Sequence, residues 1–225
     1  LSVRKKQEGN TKILIFCGAS DKIWRKGGNR MYKLCKTEQS SNRQREIEQC
    51  LFEILKVKNY EDISITELCE RMGMPRKAFY RYFDSKDDAL SALIDHSMSE
   101  YGGFLVDRSY DSNRSLVAEI EEYFIFWYGK RELLTALDRS GLMGFLIERT
   151  INYPIGDRVE LEKFLPTDEK SRRNRVIRFA LSGLVYSMIC WYKEGFKTST
   201  REMAESACRM LREPLFPALD KLGIQ

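Results

Sequence analysis

The densest chemistry in this sequence lies between Met72 and Lys86, MGMPRKAFYRYFDSK. Arg76, Lys77, Arg81 and Lys86 are threaded there through Phe79, Tyr80, Tyr82 and Phe83. A guanidinium can donate two hydrogen bonds to a guanine edge. A tyrosine hydroxyl can bond a phosphate while its ring packs on the sugar. Residues 74–86 hold four Lys/Arg against one Asp. Charge alone fits a solvated face of an ordinary helical bundle equally well, so the elements that position these side chains have to decide.

Those elements are legible around the segment. Ser64-Ile65-Thr66-Glu67 predicts a capping box that opens a short helix with Leu68, Cys69 and Met72 inward. Gly73 stops it and favours the left-handed conformation that turns a chain sharply. Pro75 suits the first turn of a new helix, where its missing N–H costs nothing. That helix places Ala78, Phe79 and Phe83 on one face and leaves Arg76, Lys77, Tyr80 and Arg81 on the others. Its first turn, with Arg76 and Lys77, is the end that enters a major groove in a helix-turn-helix. Upstream, Ser41-x-x-Gln44 reads as a capping box, and Ile47, Cys50, Leu51, Ile54 and Leu55 follow at amphipathic helical spacing. Downstream, Asp84-Ser85 caps a further helix opened by Lys86, and its N-terminal amides suit a phosphate. The sorting of faces and the turn point to a three-helix DNA-binding unit.

The stretch ISITELCERMGMPRKAFYRYFDSKDDAL, residues 63–90, resembles the DNA-binding domain of the TetR (tetracycline-repressor-like) family of bacterial transcription regulators. The resemblance covers about residues 42–90. It rests on the Gly turn, the aromatic pair, the spacing Tyr80-x-x-Phe83 and the lysine opening the next helix. It implies that Ser64 and Thr66 touch phosphates, that Arg76, Lys77, Tyr80, Arg81 and Tyr82 contact DNA, and that Lys86 grips a phosphate. Two residues depart from the family pattern. Ala78 stands where the family often has Thr or Ser, and Pro75 replaces a common Ser cap.

Totals limit the alternatives. Of 225 residues, 43% are hydrophobic, enough for a core, and 32% are charged. The longest apolar run, Phe179 to Tyr192, falls short of the roughly 20 residues of a membrane span, so no membrane partner is expected. Net charge is +5, but residues 1–44 carry 11 Lys/Arg against 3 Asp/Glu, so the excess is N-terminal. Lys26-Gly27-Gly28 can be encoded by a bacterial ribosome-binding sequence upstream of a start at Met31. Residues 1–40 are therefore expected to be a non-family leader, with the native start at Met31, or a disordered basic arm. None of the six cysteines forms a Cys-x-x-Cys pair, and Cys50, Cys69, Cys190 and Cys208 read as buried hydrophobes in a reducing compartment, the cytoplasm. With one histidine, His96, no Gly-rich phosphate loop and no paired ligands, no catalytic residue, metal or cofactor is expected.

The fold class expected is all-α. A helix-turn-helix domain over 41–88 precedes a larger helical effector-binding and dimerisation domain over 89–225. Helices are expected at 87–105, 116–128, 133–138, 142–150 and 168–195. Ser199-x-x-Glu202 caps another to about Arg212, Pro214 and Pro217 break the end, and a loop spans 152–167. Tyr101, Phe104, Phe124, Trp127, Tyr128, Phe145 and Tyr186 are candidates to line an apolar ligand cavity. Phe179, Ala180, Gly183, Ser187 and Trp191 form a stripe on a helix apolar nearly all round, the candidate dimer surface. The resemblance implies pairing through the last two long helices, binding to double-stranded DNA as a homodimer, and release by an unknown small-molecule effector. Repressor, activator and ligand-free DNA-bound module all remain compatible with the residues.

Overall fold

The computed structural model describes residues 32–33, 35–108, 115–152 and 170–212. The basic segment before Tyr32, Cys17, the loop expected around Pro154, Gly156 and Pro166, and the breaks at Pro214 and Pro217 lie outside them. The regular elements among the described residues are all helical. No helix among them is long and apolar enough to cross a membrane.

Helix α1 (Glu38–Leu55) begins earlier than Ser41. Thr37 is its N-cap: the Thr37 hydroxyl accepts from the Ser40 N–H (3.2 Å), and the Thr37 N–H donates to Ser40 Oγ (3.2 Å). The capping box is therefore Thr37–Ser40 and not Ser41–Gln44. Gln44 cannot cap because it is engaged with the chain before the helix: its Nε2 donates to the Lys33 carbonyl (3.1 Å), and its Oε1 accepts from Cys35 Sγ (3.2 Å). Tyr32 is buried against Phe83 and His96. The packed unit thus includes Tyr32, ahead of the boundary expected at residue 41. Ile47, Leu51, Ile54 and Leu55 form the fully buried face of α1, whereas Cys50 is half-buried.

A 3-10 turn at Tyr60–Asp62 leads to α2 (Ile65–Arg71) and α3 (Arg76–Phe79). Helix α4 (Lys86–Arg108) packs on α1 and also on α5 (Leu116–Gly129) and α7 (Met143–Asn152), so it belongs to both layers. Helix α6 (Arg131–Arg139) joins α5 to α7 and packs on α1. Helix α8 (Lys170–Lys193) lies on α7, and α9 (Thr200–Arg212) lies along α5. The expected cap of α9 forms: the Ser199 N–H donates to Glu202 Oε2 (3.0 Å), and the Glu202 N–H donates to Ser199 Oγ (3.2 Å).

Polar groups tie the layers together. The last carbonyls of α1 have no partner within the helix, and Arg139 of α6 donates to them. Its Nη1 reaches the Lys56 carbonyl (2.8 Å), and its Nη2 reaches Leu55 and Lys58. Next to it, Ser140 Oγ accepts from the Tyr60 N–H (3.1 Å). Asp95 of α4, almost fully buried, forms a two-pronged pair with Arg149 of α7, the Nε–Oδ1 arm measuring 3.0 Å. Burial pushes the Asp95 carboxyl above its ordinary value, and the Arg149 guanidinium opposes that shift.

Removing one partner of a buried pair leaves an uncompensated charge, so Arg149→Met is expected to cost about 3–5 kcal/mol at neutral pH. A carboxyl whose folded-state value lies above its unfolded one contributes most at acid pH and loses that contribution as pH rises through the folded value. The deficit against the wild type should therefore shrink as pH falls toward Asp95 protonation. Urea unfolding at two pH values checks this; a deficit independent of pH would mean that Asp95 stays charged.

Candidate nucleic-acid interface

The turn between α2 and α3 is set by its hydrogen bonds. Ser64 caps α2, its Oγ accepting from the Glu67 N–H (3.1 Å). At the other end the Gly73 N–H donates to the Glu70 carbonyl (3.1 Å), and the Met74 N–H to the Cys69 carbonyl (2.9 Å). This is a Schellman closure, and it needs the left-handed φ of 58° that Gly73 adopts. Pro75 follows with φ −69° as the N-cap of α3.

Helix α3 then divides as its spacing predicts. Ala78, Phe79 and Phe83 are buried, the two phenylalanines completely, with ring centroids 5.6 Å apart. Arg76, Lys77, Tyr80 and Arg81 are exposed, and Tyr82 is half-buried. Arg76 Nη2 donates to Tyr80 Oη at 3.2 Å, so a guanidinium and a phenol are presented together on one face. Ser64 and Thr66 are exposed at the start of α2. The structure thus brings seven of the eight candidate DNA-contacting residues to the surface of the α2–α3 unit or to its edge.

Lys86 is placed differently. Its Nζ donates to the carbonyls of Tyr60 (2.6 Å) and Ile63 (2.8 Å) and lies 4.1 Å from the centroid of the Tyr60 ring. Two of its three donors are engaged within the protein, holding the turn before α2 against the start of α4. Tyr60 Oη in turn donates to Asp87 Oδ1 (2.5 Å), and burial together with that bond keeps the phenol protonated. The expected cap of α4 is present as well: Asp88 Oδ2 accepts from the Asp84 (2.9 Å) and Ser85 (3.1 Å) N–H groups.

Residues 52–93, from the second half of α1 into α4, match the model of the bacterial regulatory proteins of the tetR family. Over these residues the chain carries an N-terminal domain of the tetR-family type. Its fold is similar to that of a tetR-family transcriptional regulator from Streptomyces coelicolor, with a TM-score of 0.51 and 18% identity over 75% of this chain and 80% of that one. It is also similar to the dihydroxyacetone kinase operon activator DhaS, with a TM-score of 0.50 and 13% identity over 75% of this chain and 93% of that one. No curated protein matches the sequence.

The other expected sites divide. Tyr101, Phe124 and Trp127 are buried in one cluster of rings with Tyr123, Phe126 and Trp191. Phe145 is half-buried. Phe104 is on α4, and its side chain lies outside the described residues. Tyr128 and Tyr186 are exposed, so neither lines an interior of this protomer. On α8, Phe179 and Gly183 are exposed and Ala180 and Ser187 half-buried, but Trp191 is buried, its Nε1 donating to the Thr198 carbonyl (2.8 Å). Helical geometry explains the exchange of Tyr186 for Trp191. At 100° per residue, Tyr186 returns to within about 20° of Phe179, whereas Trp191 lies about 120° away.

Sequence reasoning missed Lys33, Arg139 and Arg149. Each acts on groups far along the chain, and an isolated cation in a sequence carries no signal of that.

Lys86→Met should lower stability by about 1–3 kcal/mol, because the Tyr60 and Ile63 carbonyls lose their donor; a residue that only grips phosphate would leave urea unfolding unchanged. Gly73→Ala should cost about 1–2 kcal/mol through backbone strain alone, since a Cβ there meets open space; unfolding curves for both variants provide the check.

Proposed function

We propose that the chain acts as a homodimeric repressor. It binds a pseudo-palindromic operator through paired α3 helices, and a small apolar ligand releases it. The observation that carries the DNA reading is the division of α3. Phe79 and Phe83 fix it from within, while Arg76, Lys77, Tyr80 and Arg81 face outward.

The exposed row on α8 supports the dimer. Phe179 is 70% and Tyr186 66% exposed, and Val176 lies on the same side. A contiguous apolar row of this kind marks an interaction surface. A second copy covering it would set two α3 helices at half-sites one helical turn or more apart.

Two buried groups support a ligand. Tyr123 Oη and Trp127 Nε1 are buried and face each other, and among the described residues neither has a hydrogen bond of ordinary geometry. An unmet buried polar group costs about 1–3 kcal/mol. A planar apolar molecule bearing an acceptor would satisfy the indole N–H within the ring cluster. Release then requires that the ligand bind the DNA-free conformation better. The sign of regulation depends on where the operator lies relative to the promoter, and the fold of an operon activator is similar to this one.

Fluorescence anisotropy on the DNA upstream of the chain's own gene, against a scrambled duplex at two salt concentrations, tests the reading. A preference of about 10³ or more is expected for a sequence-specific regulator; equal binding to both duplexes, at that site and after selection from a random pool, would overturn it. Arg76→Ala should cost about 1–3 kcal/mol on the preferred duplex and relax specificity at one base. Phe179→Glu should convert the dimer to a monomer in sedimentation and weaken operator binding without unfolding the chain.

A further inference from the structure

The residues just before α1 form a strap across the end of α3. Tyr32 is buried between the rings of Phe83 (6.5 Å) and His96 (5.7 Å). The Lys33 carbonyl is held by Gln44 Nε2 of α1 at 3.1 Å. Between these anchors, Lys33 reaches α3 in two ways. Its Nζ donates to the Tyr80 carbonyl at 2.7 Å, and its backbone N–H donates to the Tyr82 carbonyl at 3.4 Å. Asp84 lies 2.6 Å from the same Nζ and neutralises it.

The strap meets a specific need. Helix α3 is a single turn, Arg76–Phe79; the turn after it meets the Arg76, Ala78 and Phe79 carbonyls, and the Tyr80 and Tyr82 carbonyls that follow are the ones Lys33 meets. Lys33 supplies both donors there, its Nζ and its backbone N–H. It bonds the backbone of Tyr80, the residue whose side chain faces outward beside Arg76. The inner face of α3 is fixed by Phe79 and Phe83, but apolar contacts do not fix rotation and translation along the surface as a directed hydrogen bond does.

We propose that Lys33 is a positioning residue for DNA recognition: it braces the C-terminal end of α3 and sets the angle at which Tyr80, Arg76 and Arg81 are presented, without touching DNA itself. This rests on the DNA reading above. The Lys33–Asp84 pair is largely exposed, 44% and 74%, so it contributes little to stability. Its role should show in specificity and not in melting.

The test compares wild type, Lys33→Met, Lys33→Met/Asp84→Asn and Lys33→Arg. Each is measured on a duplex selected by the wild type from a random pool and on an unselected duplex, at two salt concentrations, with Tm recorded for each. The double variant keeps the local net charge of the pair. It should lose about tenfold on the selected duplex, the scale of one misplaced base-reading side chain, and should change little on the unselected one. Its salt slope should be unchanged and its Tm should stay within about 2 °C. Lys33→Arg should restore binding. A salt slope smaller by about one for Lys33→Met and the double variant alike would make Lys33 a phosphate contact and overturn the proposal. Equal losses on both duplexes, no loss at all, or a loss that tracks Tm would also overturn it. If the wild type selects no duplex, the DNA reading fails first and takes the brace with it; a selected duplex with indifferent Lys33 variants removes the brace alone.

Discussion

A helix of one turn cannot hold itself in place. Forming the first turn fixes several residues for a single hydrogen bond, so a segment as short as α3 has no stability of its own. Everything that gives Arg76–Phe79 a direction comes from outside it. The Schellman turn at Gly73 aims its start, the burial of Phe79 and Phe83 fixes its inner face, and Lys33 holds the Tyr80 and Tyr82 carbonyls of the turn that follows it. The rest of the DNA-binding unit is arranged to supply these three supports. Ile47, Leu51, Ile54 and Leu55 of α1 belong to the same buried core as the two phenylalanines, and the Lys86–Tyr60 contact fixes the turn that precedes α2.

Helix α4 belongs to this unit and to the layer above it. Its Ala89 and Leu90 lie in the core near its start, and Asp95 is paired with Arg149 of α7. Arg139 of α6 grips the end of α1. Asp138, its neighbour in sequence, accepts from Tyr192 Oη of α8 at 3.3 Å. A shift of α6 or α7 therefore moves groups that are hydrogen-bonded to α1 and α4.

The helices and their order were legible because periodicity and capping are local properties. Ser64, Gly73, Pro75 and Ser199 mark element ends through bonds within a few residues, and the buried face of α3 follows from the spacing of Ala78, Phe79 and Phe83. The start of α1 was misplaced because Ser41–Gln44 fits the Ser/Thr-x-x-Glu/Gln capping pattern, whereas the box that forms has Ser40 in its third position; the chain before the helix engages Gln44 instead. The α8 stripe was misassigned at one end because rows spaced by four residues drift around a helix. The roles of Lys33, Lys86, Arg139 and Arg149 depend on partners brought together by tertiary packing. A cation does not announce in sequence whether it faces a phosphate or a carbonyl.

The grip of Arg139 on the last carbonyls of α1 bears on how the molecule comes apart. Amide hydrogens exchange when a cooperative unit opens, and such units follow shared packing and hydrogen bonds instead of sequence boundaries. The C-terminal turn of α1 shares its bonds with α6, and the Tyr60 turn shares one with Ser140. The unit that opens with α1 thus includes α6. A fragment ending near residue 88 would carry α3 but would leave the end of α1 frayed, its carbonyls returned to water.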